Sequence, residues 1–324
     1  MLVLHTDTDV FCGKESAVAI GNFDGLHIGH MRLINELTDC ARKASLQSVI
    51  FTFNPHPRAA LVSETAPHNL APGTEFSLIL TPPEREFILS GAGIDVLLEY
   101  NFAALADLTP EDFVRDVLAA RLRCREVFVG CEHRFGRGKT GDSALLKALG
   151  RKYGFNVHVV PNLTADGVKV SSSAIRRLVA ERRFEDARRL LGRPYFVMGR
   201  VEHGRQMGRK LGFPTVNILP PPAKLLPPNG VYLTATAVKG QMYQSLTNIG
   251  FSPTFENAGH KLESHLVNFS GNVYGETVTI YFLKWLRDEV KFNSSDELAA
   301  QLRDDLSRVL YDGAVIATVR ATGE

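Results

Sequence analysis

Residues 17–30 read AVAIGNFDGLHIGH: an apolar run, a glycine-rich turn and two histidines three apart. Ala17–Ile20 has the length and composition of a buried strand, and Gly21 and Gly25 punctuate its end. From His30 to Ala44 the period changes, with Leu33, Leu37 and Ala41 spaced as the buried stripe of a helix. Strand, glycine turn and helix in this order form a place where phosphate approaches the backbone. The glycines remove steric bulk, and the helix start offers unpaired N–H groups and a favourable dipole.

The same alternation continues outward from this stretch. Ser48–Phe53, Val96–Tyr100, Glu126–Gly130 and Asn156–Val160 are predicted strands. Pro83–Gly91, Pro110–Arg121, Ser143–Tyr153, Ser173–Arg182 and Phe184–Leu191 are predicted helices. Thr109-Pro110-Glu111-Asp112 is a helix start, with a capping hydroxyl, Pro at the first position and acids in the first turn. Parallel strands need crossovers, so the pattern predicts an α/β, Rossmann-like domain with a parallel sheet, its ligands at the carboxyl ends of the strands. Asn54–Leu80, rich in Pro, is long for a plain connection and reads as a mobile flap.

The pattern breaks at Leu191-Gly192-Arg193-Pro194, which places the expected domains at 1–191 and 192–324. Beyond it, Tyr195–Val201, Gly230–Val238, Tyr243–Thr247, Leu262–Phe269 and Thr277–Leu283 are short strands with Gly, Pro and Asn between them. A terminal helix near Ser294–Leu310 shows Leu298, Leu302 and Leu306 on one face. This half is expected to form a small β-barrel closed by that helix.

Composition narrows the function class. The 324 residues include 44% hydrophobic and 22% charged residues, with a net charge of +2, which argues against a nucleic-acid coat. No apolar run reaches membrane-spanning length, and the N-terminus lacks a basic signal-peptide region. Cys12, Cys40, Cys124 and Cys131 form no C-x-x-C pair and read as reduced thiols. A cytoplasmic protein with no nucleic-acid or membrane partner is expected; oligomeric state is not legible.

Read alone, His27 and His30 fit surface histidines or metal ligands as well as donors to a phosphate. The wider string Gly21-Asn22-Phe23-Asp24-Gly25-Leu26-His27-Ile28-Gly29-His30 resembles the nucleotidyltransferase signature. Its His-Ile-Gly-His core also occurs in class I aminoacyl-tRNA synthetases, but no Lys-Met-Ser-Lys-Ser-like segment follows. The string is most similar to that of the bacterial bifunctional riboflavin kinase/FMN adenylyltransferases. Three further segments match that family in order: Phe51–Pro57, Gly130–Asp142 and Val170–Arg176.

The resemblance implies that Gly21, Asn22, Phe23, Asp24 and Gly25, with Ser171, Ser172 and Ser173, bind ATP, and that His27, His30 and Arg176 act in catalysis. Without the other motifs, Ser171–Ser173 would read as a helix cap, and His56 reads equally as a turn residue between two prolines. Glu132 and His133 stand where the family has Asp or Asn and an aromatic, which puts their expected contacts with flavin in doubt.

The second half carries its own motif set. Gly199 to Lys210 holds repeated glycines and Arg200, Arg205, Arg209 and Lys210, a stretch that alone fits a solvated hairpin and is not a Walker A loop. The following Gly-Phe-Pro-Thr-Val-Asn resembles the riboflavin kinase Pro-Thr-Ala-Asn motif, with Val216 in place of Ala. Gly199, Gly204, Arg205, Gly208, Arg209 and Lys210 are then expected at ATP phosphates. Thr215 and Asn217, on one face of a strand, are expected ligands of Mg²⁺.

Lys261–Leu266 resembles the segment that carries the catalytic glutamate, here Glu263; His265 is expected to be structural. Arg287 is expected at flavin or phosphate, or in an exposed ion pair with Asp288 or Glu289. The family implies ATP, riboflavin and FMN as substrates, Mg²⁺ as cofactor, and FMN and FAD as products. Three rivals remain on the residues: a kinase whose adenylyl site is damaged, a nucleotidyltransferase for another acceptor, and a non-catalytic flavin sensor.

Overall fold

The computed structural model describes residues 1–5, 14–58, 76–203, 213–221, 223–252, 259–292 and 294–310. The chain divides into two compact units, Met1–Ser171 and Ser172–Glu324. The division falls ahead of two helices that the sequence pattern groups with the first half.

The first unit is a six-stranded parallel sheet. Its strands are β1 (Leu2–His5), β2 (Ser16–Ile20), β3 (Gln47–Phe53), β4 (Val96–Tyr100), β5 (Cys124–Gly130) and β6 (Asn156–Val160), in the order β1-β4-β3-β2-β5-β6. The crossovers run through α1 (Ile28–Ala44), α2 (Pro82–Ser90), α3 (Pro110–Arg121, π-helical from Phe113) and α4 (Ser143–Tyr153). Every residue of β2 and β4 is buried, as a sheet covered on both faces requires. Thr109 caps α3 as its sequence implies, its side chain accepting from the Asp112 N–H.

β2 pairs with β3 on one side and β5 on the other. The chain therefore reverses direction across the sheet at β2, and the loops leaving β2 and β5 flank the switch point where such sheets bind ligands. A two-stranded hairpin, β7 (Thr164–Ala165) and β8 (Val168–Lys169), follows β6.

The second unit opens with α5 (Ser172–Ala180) and α6 (Phe184–Leu191). Its barrel is closed and antiparallel: β9 (Tyr195–Glu202), β10 (Thr215–Ile218), β11 (Gly230–Val238), β12 (Gln241–Ser252), β13 (Gly259–Leu266) and β14 (Thr277–Arg287), in the order β10-β13-β12-β11-β14-β9. Phe184 of α6 packs its ring on Tyr232 and Phe282. Helix α7 (Ser295–Leu310) lays Leu302 and Leu306 on Val231, Leu233 and Leu246, which marks that strand face as the outer one.

The opposite, inner face holds Thr234, Thr236, Ser245, Thr247 and Ser264, all fully buried. Their hydroxyls form a closed ring, with O···O distances of 2.7 Å for Thr234–Ser245, Thr236–Ser245 and Thr234–Thr247, 2.9 Å for Thr247–Ser264 and 3.2 Å for Thr236–Ser264. A polar core of this kind is tolerable because each hydroxyl meets a partner.

Candidate active sites

At the end of β2 the Gly21 N–H still donates to Phe51, and then the backbone turns away from the sheet. Phe23, Gly25 and Leu26 take φ values of 47°, 92° and 41°. Only glycine adopts such angles without cost, so the two other residues hold strain that the surroundings must support. The support is visible. Thr52 at the end of β3 donates to the Asn22 carbonyl at 3.1 Å. The Asp24 carboxylate, buried, accepts from the Ile79 and Leu80 N–H groups at 2.9 and 3.3 Å. Ile79 in turn fills the space beside Gly25, where an added Cβ would approach it to 3.2 Å.

Two expectations change here. Asp24 was expected at phosphate, yet its carboxylate is buried and spent on tying residues 79–80 to the loop. Phe23 is 1% exposed, and its ring props His30 edge-on at 5.3 Å. What the turn offers to phosphate is thus backbone and histidine.

His27 is the N-cap of α1: its Nδ1 accepts from the His30 N–H at 3.2 Å. That acceptance places the neutral ring's proton on Nε2, the donor nitrogen. The two imidazoles stack with centroids 3.6 Å apart and planes 13° from parallel, so the structure brings this pair together. Gly29 makes room for the arrangement; a Cβ there would lie 3.2 Å from His27 Nδ1.

The segment expected as a flap lies largely outside the described residues. Its described ends are tied down. His56 is buried and stacks on Phe76 at 4.4 Å. Asn54 donates to Glu99 at 2.9 Å, and Glu99 forms a buried ion pair with Arg85.

Beyond β5, Glu132 is exposed and paired with Lys169 of the β7–β8 hairpin, which holds its carboxyl below the usual range. His133 stacks on Phe135 with ring centroids 5.8 Å apart. Burial pushes its imidazole down to about 4, and its Nε2 has no hydrogen-bond partner among the described residues. A neutral ring with an unsatisfied nitrogen next to the switch point is a ready contact for a planar ligand. Ser171 ends the first unit; Ser172, Ser173 and Arg176 lie in the first turns of α5 in the second.

In the barrel the register assembles the expected kinase residues. β10 pairs with β13 so that Asn217 faces Glu263 and Thr215 faces His265. β12 places Asn248 on the other side of Glu263. Alternation then puts Thr215, Asn217, Asn248, Glu263 and His265 on the outer face, and Val216 and Ser264 on the inner one.

Lys261, nearly buried and two residues from Glu263 on the same face, bonds its carboxylate at 2.9 Å. His265 Nδ1 lies 2.9 Å from the Pro214 carbonyl, so the ring braces the entry to β10. A hydroxyl, an amide oxygen and a carboxylate are the hard donors that Mg²⁺ takes, and Thr215 and Asn217 therefore fit that ion. Asn248 opens the segment Asn248–Phe255, which the family resemblance expects to shape this site; sequence reasoning gave Lys261 no role, and its signal was the strand period that already pointed to Glu263.

Two further expectations change. Gly199 was expected at phosphate, but it sits inside β9 opposite Val278, and a Cβ there would meet Ile218 at 3.0 Å. It is a packing glycine. Arg287 was expected at flavin or in an exposed pair; its guanidinium instead grips Asp305 of α7, with Nη2···Oδ2 2.8 Å and Asp305 fully buried. Gln301 adds a bond to the same carboxylate at 3.0 Å. Gly204, Arg205, Gly208, Arg209 and Lys210 lie outside the described residues.

Comparison with known proteins gives consistent matches along the chain. The family described as FAD synthetase matches residues 12–174, and that described as riboflavin kinase matches residues 191–310. The bifunctional riboflavin kinase/FMN adenylyltransferase of Escherichia coli K12 is 35% identical over 90% of this chain and 90% of its own length. That of Buchnera aphidicola from Schizaphis graminum is 34% identical over 91% and 93%. A crystal structure described as a macrolide-efflux protein from Streptococcus pneumoniae is 30% identical and covers 95% of this chain and 98% of its own, with a TM-score of 0.82. No helix among the described residues is long and apolar enough to cross a membrane.

Proposed function

The chain belongs to the bifunctional riboflavin kinase/FMN adenylyltransferase family, and we propose how its residues divide the two reactions between the parallel sheet and the barrel. It phosphorylates riboflavin to FMN with ATP and adenylylates FMN to FAD with release of pyrophosphate. The observation that carries the division is that each unit is matched by a different one of the two flavin-enzyme families.

In the kinase reaction Glu263 orients the ribityl primary hydroxyl and takes its proton as the oxygen attacks the γ-phosphorus of ATP. Lys261 holds the carboxylate in place until the hydroxyl arrives. Thr215 and Asn217 would hold Mg²⁺, which would neutralise phosphate charge. The basic glycine stretch from Gly204 to Lys210 is assigned to the nucleotide phosphates.

In the adenylyl reaction a phosphate oxygen of FMN attacks the α-phosphorus of ATP, and pyrophosphate leaves. Gly21, Asn22 and Gly25 let phosphate come close to backbone. His27 and His30 donate hydrogen bonds to oxygens whose charge rises during transfer. Ser171–Ser173 and Arg176 are assigned to phosphate oxygens of ATP, the arginine by its rigid fork of donors. His133 contacts flavin, with Glu132 steadying the hairpin beside it. The setting is the cytoplasm, where ATP and reduced thiols are supplied.

Incubating the full chain with ATP, Mg²⁺ and either riboflavin or FMN, then separating the flavins by chromatography, tests the assignment. FMN and FAD from riboflavin, and FAD from FMN, are expected. FMN alone from riboflavin, with supplied FMN unchanged, would refute the adenylyl assignment.

A further inference from the structure

A cluster of side chains of metal-ligating type lies in the first unit, away from the histidine turn. Cys40 projects from α1, Glu126 from β5 and His158 from β6, and their donor atoms all lie within 4.8 Å of one another. Cys40 is ten residues along α1 from His30, about 15 Å along the helix axis at 1.5 Å per residue. The cluster therefore sits toward the opposite end of the helix that begins at the histidine turn.

The surroundings are those of a built site. His158 Nε2 and Glu126 Oε2 are 2.6 Å apart, and Asn156 donates to the other carboxylate oxygen at 2.9 Å. Phe128 stacks on the His158 ring with centroids 4.4 Å apart and planes 13° from parallel. Partners of this kind set the orientation of metal ligands in general. A shallow depression of about 550 Å³ opens on the cluster, lined by Glu36, Asp39 and Lys43 besides Cys40 and His158. Glu36 and Asp39 are already paired with Arg32 and Arg42, so the ligand set itself, not a surplus of negative charge, is what points to a cation.

We propose that Cys40, Glu126 and His158 form a binding site for a divalent transition-metal ion of the Zn²⁺ class. Thiolate, imidazole and carboxylate together select such ions over Mg²⁺, which takes oxygen ligands. Three protein ligands and a water complete a tetrahedron. At metal–ligand distances near 2.0 Å, tetrahedral angles place the nitrogen and oxygen about 3.3 Å apart. The exposed His158 ring must therefore swing away from Glu126 by less than an ångström, and the Cys40 sulfur, at up to 4.8 Å from the other donors, must close to about 3.5 Å by a turn of its side chain. Bound metal would join α1 to β5 and β6 and stabilise the first unit by mass action.

The test uses the full chain titrated with Co²⁺ in excess Mg²⁺. One Co²⁺ per chain is expected, with the near-ultraviolet thiolate-to-cobalt charge-transfer band, and Zn²⁺ displaces it. Cys40→Ser abolishes the band and weakens Co²⁺ binding at least about 100-fold; His158→Gln weakens it at least about tenfold. Cys131→Ser, at an exposed cysteine outside the cluster, leaves the titration unchanged. Absence of the charge-transfer band in the parent protein overturns the proposal whatever the variants do. So does a band that survives Cys40→Ser or that vanishes with Cys131→Ser.

Discussion

The histidine turn and the glutamate face place their chemistry by different means. Around His27 the backbone itself is shaped: three residues take positive φ, two of them not glycine, and buried polar ties hold the turn open. On the barrel the backbone is regular, and strand register alone sets Asn217, Glu263 and Asn248 in one row. A turn of the first kind needs particular residues at every position, so it leaves a long string. A face of the second kind needs alternate residues on neighbouring strands, so it leaves short fragments far apart in sequence.

The largest expected effect separates support from contact on the barrel. Asp305→Ala strands the Arg287 guanidinium beside an uncompensated site, and breaking such a pair costs about 3–5 kcal/mol. Calorimetry should show the barrel's unfolding transition at lower temperature, with FAD formation from FMN retained. An unchanged transition would return Arg287 to the flavin.

At the turn, His27→Ala removes both a helix cap and a donor. FAD formation should fall roughly 100-fold or more, the range for a lost donor to transition-state charge, while riboflavin phosphorylation continues. Equal losses in both reactions, read from the same chromatograms, would mean that the two regions are not separate sites.

The most gradual effect, spread over more than two pH units, concerns acid stability of the first unit. His133 is held at about 4 by burial, against an ordinary 6.5. As pH falls below 6.5 the unfolded chain takes up a proton that the folded chain refuses. Stability is then lost at about 1.4 kcal/mol per pH unit until about pH 4, where the loss levels off. His133→Phe should flatten that part of the melting profile. A slope equal to the parent's would place the sensitivity elsewhere.

These tests rest on features of unequal legibility. Strand β2, helix α1 and the histidine turn were readable because period and glycine placement are local signals. So was the barrel, from short strands and the parity of Thr215 and Asn217. β1 was not foreseen: four residues at a sheet edge carry too little pattern. The roles of Asp24 and Arg287 were misread because their partners, residues 79–80 and Asp305, are distant in sequence. Motif resemblance names a residue without saying whether its charge is already spent. Gly199 was misread for a related reason, since a glycine that admits Ile218 looks the same in sequence as one that admits phosphate.

The division of labour is tested most directly by Glu263→Gln supplied with each flavin in turn. The change keeps the side chain's size and removes its power to accept a proton. Phosphorylation of riboflavin should fall by roughly 10²–10⁴-fold, the range for loss of a general base. FAD formation from supplied FMN should run at close to the parent rate, and FAD from riboflavin should nearly cease. A folded Glu263→Gln protein that still makes FMN from riboflavin at near the parent rate would contradict the account.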